Sequence, residues 1–364
     1  MASIQNLPLE TLDQIASKLD SQQLRHVSSA SSRLWYGFAR RRFHSIQFRG
    51  DRERVSTMLL NFLSNNNTPR VQEIKRQARS ISFIVLTDRI TTDYQEDDGF
   101  LPALIISTVN KMPRVFALGL KIHGLSGRER SALQTQTKNA RRWTAITHLK
   151  VDLPNPVFRK LINTSLQGDL IQAVDVDTEI RTRHPNMLGA YLPNIRRLRV
   201  KILDPCMEYW KLIRRYTPQE QICFPDFHNL ECLVVADAGS IARPCEFRSK
   251  RYLRAHVKEL IESLTTMNRL RRLAIEFSPE ILSWTTDHDL GEGSQQGEEL
   301  NKVLGTLACD MGNVLPNLAE MCLVECTGAQ ALVHRAIRSR VGQVMDASHE
   351  VAGPEDTFPR GLLY

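Results

Sequence analysis

The chain has 364 residues, 42% of them apolar, and a formal net charge of +8. That length suits about two ordinary domains or one extended array. No apolar run approaches the roughly 18 residues of a membrane span, and charges break the N-terminus before a secretory signal could form. The expectation is an intracellular protein of the cytoplasm, the nucleus or both, with no membrane partner.

The first predicted element is a short helix opened by Leu7-Pro8-Leu9-Glu10, with Pro8 at its first position, where a missing N–H costs nothing. Leu12, Ile15, Ala16 and Leu19 follow at i, i+3, i+4 and i+7, one apolar stripe. Asp20 is placed to cap a second helix, with Gln23 completing a capping box. Leu24, Val27 and Ala30 share a face there, and Leu34, Trp35 and Phe38 continue into a third helix. The apolar content of this stretch is too small for a core of its own, so its greasy face is expected to meet a partner.

This stretch resembles the F-box. Leu7-Pro8 and Glu10 match the family's LPxE start, Ile15 and Leu19 its first helix, and Leu24 the exit of its turn. Two positions depart from the pattern: Ala30 is smaller than the usual valine, and Leu34 stands where an aromatic is usual unless Trp35 takes that place. The resemblance implies docking on the Skp-type linker of an SCF-type ubiquitin ligase, and through it on a cullin. The residues it assigns to that contact are Leu7, Pro8, Leu9, Glu10, Leu12, Ile15, Leu19 and Leu24.

Beyond it one spacing recurs, apolar-x-x-apolar-x-apolar. It occurs at Phe43/Ile46/Phe48, Ile81/Ile84/Leu86, Val115/Leu118/Leu120, Ile146/Leu149/Val151, Ile195/Leu198/Val200, Leu230/Leu233/Val235, Leu270/Leu273/Ile275 and Leu318/Met321/Leu323. The last two apolar positions of each copy fall on one side of a strand. This is the strand core of a leucine-rich repeat. Amphipathic helical patterns lie between, the clearest at Leu253/Val257/Leu260/Ile261/Leu264 and Leu300/Val303/Leu304/Leu307/Met311. Copies 31–49 residues apart exceed the usual repeat length of about 20–29. An irregular βα solenoid with a parallel sheet is therefore expected, a closed α/β layer being the alternative.

The predicted organisation is α/β: an F-box at 1–45, a leucine-rich-repeat-like βα domain at 46–342, and a flexible polar tail at 343–364. Loops are expected at Ser64–Thr68, Thr91–Gly99 and Thr285–Glu299. The whole resembles F-box proteins with irregular leucine-rich repeats, a type common in fungi.

No chemistry is evident. Gly291, Gly293 and Gly297 have the wrong spacing for a dinucleotide fingerprint, and no preceding strand leads into them. Cys206, Cys223, Cys232, Cys245, Cys309, Cys322 and Cys326 are odd in number and irregular in spacing, which suits reduced thiols rather than a zinc or disulfide framework. No catalytic residue, cofactor or metal is expected. The expected function is a non-enzymatic adaptor whose repeat body holds a target protein. Target contact is assigned to outward strand positions Lys121, Lys150, Arg199, Lys201 and Glu276, whose mostly basic character favours an acidic target. The alternatives are a repeat scaffold that the first helices merely cap, and nucleic-acid binding by a basic face, which 7% aromatic content disfavours.

Overall fold

The computed structural model describes residues 4, 7–86, 99–153, 155–180, 184–202, 227–237, 261, 264–265, 267–277, 295–327, 330–338, 345–351 and 357–362. The chain divides into two compact units, Met1–Gln167 and Gly168–Tyr364. The expected boundary after residue 45 lies within the first unit.

The first unit begins with α1 (Leu9–Ala16), α2 (Ser21–Ser29) and α3 (Ser32–Arg42). Strands β1 (Ser45–Gly50), β2 (Ser80–Val85), β3 (Ala117–Lys121) and β4 (His148–Asp152) follow. Between and after them run α4 (Arg52–Ser64), α5 (Pro69–Gln77), α6 (Phe100–Asn110), α7 (Gly127–Asn139) and α8 (Asn155–Thr164). The strands pair in parallel in chain order. Helix starts are written locally: Asp51 caps α4, Thr68 caps α5 with Pro69 next, and Ser126 with Glu129 forms a capping box on α7. The polar Asn65–Thr68 stretch turns between α4 and α5 as expected, whereas α5 itself carries no strong apolar stripe and was not anticipated.

The second unit holds β5 (Ala173–Ile180), α9 (His184–Tyr191), β6 (Arg197–Ile202), β7 (Cys232–Asp237), β8 (Arg272–Phe277), α10 (Gln295–Val314), β9 (Glu320–Thr327), β10 (Gln330–Ile337) and β11 (Asp346–Val351). Strands β5 to β9 are parallel. Then β10 and β11 turn back antiparallel, so the sheet is mostly parallel and stays open.

A shared backbone device sets the register. Before each of seven strands an amide bonds three residues back: Val115 to Met112, Ile146 to Trp143, Ile171 to Gly168, Ile195 to Leu192, Leu230 to Phe227, Leu270 to Met267 and Leu318 to Leu315. Two successive amides of the next turn then share one carbonyl of the turn before. Phe116 and Ala117 donate to Arg79, Glu231 and Cys232 to Arg196, and Arg271 and Arg272 to Glu231. The turn asparagines tie neighbours together, Asn194 donating to the Asp169 carbonyl at 2.8 Å and Asn229 to that of Pro193 at 3.3 Å. The first apolar position of the motif is therefore the residue that closes the turn, and the other two lie in the strand, buried except for the half-buried Ile46 of β1.

Three corrections follow. The second copy is out of register as first placed: Ile81 pairs with Ile46 and Phe83 with Phe48, so the copy is Ala78/Ile81/Phe83. Leu86, at 45% exposure, is not a core position. A further copy exists at Ile171/Val174/Val176 in β5, all buried, with Val174 paired to Leu198. Ile171 lies 25 residues after Ile146 and 24 before Ile195, inside the ordinary repeat length.

The third correction concerns the expected flexible tail. Residues 346–351 form β11 against β10, and beyond it Pro359, Gly361 and Leu362 are buried. Helix α10 also begins at Gln295, inside the expected Thr285–Glu299 loop, whose residues 285–294 lie outside the described ones, as do residues 91–98 of the acidic loop.

Candidate partner-binding surfaces

The three N-terminal helices form a core of their own. Leu12, Ala16, Leu24, Leu34 and Phe38 are buried together, and Leu7, Ile15, Leu19 and Val27 pack partly buried against them. The expectation that this stretch lacks a core is thus overturned. The helices cross closely: a Cβ on Gly37 of α3 would sit 2.7 Å from Leu12 Cδ1. At the second helix the capping box forms, Asp20 Oδ1 accepting from Gln22 and Gln23 amides at 2.8 Å while Gln23 Oε1 accepts from the Asp20 amide at 3.1 Å. Pro8 is the N-cap of α1 rather than its first residue, and α1 ends at Ala16, so Leu19 lies in the turn beyond.

That geometry sorts the eight expected linker contacts. Leu12 is 0% exposed and Leu24 8%, so both hold the module together. Leu7, Ile15 and Leu19 are half-buried. Pro8, Leu9 and Glu10 face solvent, Leu9 with 60% of its surface open. An Arg33 guanidinium donates to the Leu7 carbonyl at 3.3 Å and holds the chain leading into Pro8. Leu34, not Trp35, fills the interior of α3; Trp35 instead meets Phe43, and Arg70 of α5 lies 5.8 Å over its ring.

The second surface is the sheet face made by residues alternating with the repeat's core positions. In the first unit Lys121 and Lys150 sit there, half-buried, with Lys150 beside Gly119 and Lys121 beside Asp152 in register. Neither is a bare charge in solvent.

In the second unit the same face is covered. Cys232, Val234, Ala274, Cys322, Val324 and Val333 form an apolar cluster there, and Leu362 and Phe358 pack onto it. The expected contact residues around the cluster are spent internally. Arg199 bonds Asp175 at 3.2 Å and Glu276 at 3.1 Å, and Glu276 also bridges to Arg360 at 3.5 Å. Lys201 lies 3.8 Å from Asp177. Burial alone would pull the Arg199 guanidinium down, but Asp175 and Glu276 outweigh it and hold it above its usual range. Arg199, Lys201 and Glu276 are therefore members of a largely buried ion network, and Glu276 is corrected from outward to buried. A second network runs Arg272–Glu320–Arg335–Glu350.

No family model and no curated protein matches this chain.

Among the described residues Cys232, Cys309 and Cys322 are free thiols, no group of His, Cys, Asp and Glu is arranged to hold a metal, and no helix is long and apolar enough to cross a membrane. Sequence reasoning missed Phe358, Arg360 and Leu362. The available signal was a cluster of apolar residues, Phe358 to Leu363, in a stretch otherwise polar.

Proposed function

We propose that this chain is a non-catalytic adaptor of an SCF-type ubiquitin ligase. Its three-helix module docks on the Skp-type linker, and its irregular leucine-rich-repeat-like body holds a target protein. The observation that carries this reading is Leu9. A module that already has its own core still exposes a leucine, preceded by proline and followed by glutamate, at the start of its first helix. Leu9, with half-buried Leu7, Ile15 and Leu19 on the same short module, supplies the apolar side chains that a groove-forming partner takes. The repeated turn-and-strand device supports the body as a repeat array, and such an array contributes proximity rather than chemistry.

The test uses Leu9→Asp. Leu9 is outside the module's core, so the substitution leaves helicity and melting unchanged. Burial of one leucine is worth about 1.5–3 kcal/mol, so linker pull-down falls by roughly tenfold to a hundredfold. Unaltered pull-down removes the adaptor reading.

One contact favours the alternative that the helices only cap the repeat body: Arg70 over Trp35 joins α5 to α3. Deleting residues 1–42 separates the two. A soluble, folded remainder favours docking, and an aggregating one favours capping.

A further inference from the structure

The segment 357–362 meets the sheet face of the second unit through four unlike contacts. The Arg272 guanidinium lies 5.3 Å over the Phe358 ring. Arg360 Nε reaches Glu276 Oε1 at 3.5 Å. Leu362 packs into the cluster of Cys232, Val234, Ala274 and Cys322. Arg197 Nη1 donates to the Leu362 carbonyl at 3.4 Å. The segment itself is folded by a turn, the Gly361 amide donating to the Thr357 carbonyl at 2.7 Å.

Thr357 makes a single β-bridge, and past it the docking runs through side chains rather than a strand ladder. Phe358, Arg360 and Leu362 are each taken by a separate feature of the face. An aromatic is met by a cation, a cation by a carboxylate, an aliphatic side chain by an apolar patch, and a main-chain oxygen by a guanidinium. That is how a surface recognises a short peptide, with side-chain pockets for specificity and a main-chain contact for orientation. The receiving groups are also prepared without Arg360. Glu276 is fixed by Arg199, which is fixed in turn by Asp175. A buried carboxylate already oriented by one arginine is well placed to take a second cation from outside.

We infer that the sheet face of the second unit is a peptide-binding site, which residues 357–362 occupy in cis. Its ligand in trans is a short turn-forming segment of a partner protein that presents an aromatic, an arginine and an aliphatic residue at alternate positions. This rests on the adaptor reading of the body and gives its target a chemistry. It replaces the expectation of an acidic target for this unit, since the face takes a cation through Glu276. The cis segment competes at an effective concentration on the order of millimolar, so the site is closed to weak ligands until a better-fitting segment displaces it.

The experiment uses the full chain carrying Phe358→Ala with Leu362→Asp, and a fluorescein-labelled peptide of residues 357–362. Anisotropy is expected to show saturable binding to the double variant, at least about tenfold tighter than to the unaltered chain, and the peptide made with Arg360→Glu is expected to lose it. Site-resolved alkylation is a second readout. Cys232 and Cys322 should react at least about tenfold faster in the double variant and slow again when the peptide is added. The single variant Arg360→Glu, which leaves the apolar contacts in place, should give a smaller acceleration of the same kind.

A folded double variant that ignores the peptide overturns the inference. So does loss of the native fold in both variants, because the segment would then be an inseparable part of the core. Linker pull-down is measured on the same variants. Retained pull-down with no peptide binding removes the peptide site alone, whereas peptide binding by a chain that never captures the linker removes the adaptor reading alone.

Discussion

The two units use the same strand positions in opposite ways. Between the core positions of β2, β3 and β4 stand Ser82, Gly119 and Lys150, small or polar and only partly covered, apart from the glycine. Between those of β7, β8 and β9 stand Val234, Ala274 and Cys322, each 0% exposed. The backbone is alike in both, with parallel pairing and shared-carbonyl turns. The difference lies in side chains alone, and it decides what each face requires. A row of serine, glycine and lysine tolerates water. A row of valine, alanine and cysteine does not, and the chain covers it with Phe358 and Leu362. One sheet design thus yields an open surface and a closed one, and the closed one carries a built-in occupant.

The comparison breaks most sharply at its driest point. Val234→Asp places a carboxylate inside the apolar cluster, and the expected loss is about 3–5 kcal/mol of stability, enough to unfold the second unit. The corresponding change in the first unit, Ser82→Asp, is expected to cost less than about 1 kcal/mol. Urea denaturation followed by circular dichroism checks both. Equal losses would mean that the two faces are equally dry, against the contrast drawn from their composition.

The thiols give a milder test through pH. Burial pushes the Cys232 thiol up to about 12; Arg272 and Arg197 pull against it, and Glu320 and Glu231 add to it. Cys322 is pushed up as well, by burial first and by Glu320 next. In the unfolded chain such a thiol ionises near its ordinary value of 9. Between that value and about 12 the unfolded chain has lost a proton that the folded one keeps, so stability falls as pH rises. Each thiol contributes a loss of about 1.4 kcal/mol per pH unit above about 9, and at pH 10 the pair accounts for about 3 kcal/mol. The check is a difference between proteins. The stability gap between the parent and Cys232→Ala should narrow, or reverse, as pH climbs from 8 to 10. A gap that stays constant would mean the thiol is wet.

Much of this was legible in the sequence, and the parts that were not have identifiable causes. The recurring apolar spacing located seven strands in register because each copy has two large residues facing the same side. The β2 copy slipped because Ala78 is small and Ile84 and Leu86 offered a more conspicuous triplet. Strand β5 was overlooked although Ile171, Val174 and Val176 carry the full pattern, since two of its apolar residues are valines and Asp175 and Asp177 interrupt it. Strands β10 and β11 follow a different logic: an antiparallel hairpin needs no repeat turn, and Asp346–Val351 is exposed along its length.

At the candidate sites, composition and periodicity did not give the orientation of the residues they named. Leu9 and Leu12 lie three apart on one short helix, and Leu12 is interior because Leu24, Leu34, Gly37 and Phe38 of the next helices meet it. Likewise Glu276 reads as an outward charge from strand alternation. Its burial depends on Arg199 and Arg360, which are 77 and 84 residues away in sequence.

The smallest effect sharpens the contrast from the open side. Gly119 sits in the polar face of the first unit, yet it is buried, and a Cβ built there would lie 2.7 Å from Ser82 Cβ and 3.3 Å from Ser82 Cα. Ser82 is its register partner on β2, so the overlap is between neighbouring strands and a rotamer change does not relieve it. Gly119→Ala is therefore expected to cost about 1–2 kcal/mol by overpacking, although alanine is ordinarily the better residue in a strand. Removing the opposing Cβ should return most of that. In the double variant Gly119→Ala with Ser82→Gly the two changes couple by about 1 kcal/mol, read from the urea midpoints of the four proteins of the cycle. Additive costs would show that the strands move apart to admit the methyl group. In that case the narrowness of the open face is a property of its side chains only, and a partner could widen it on binding.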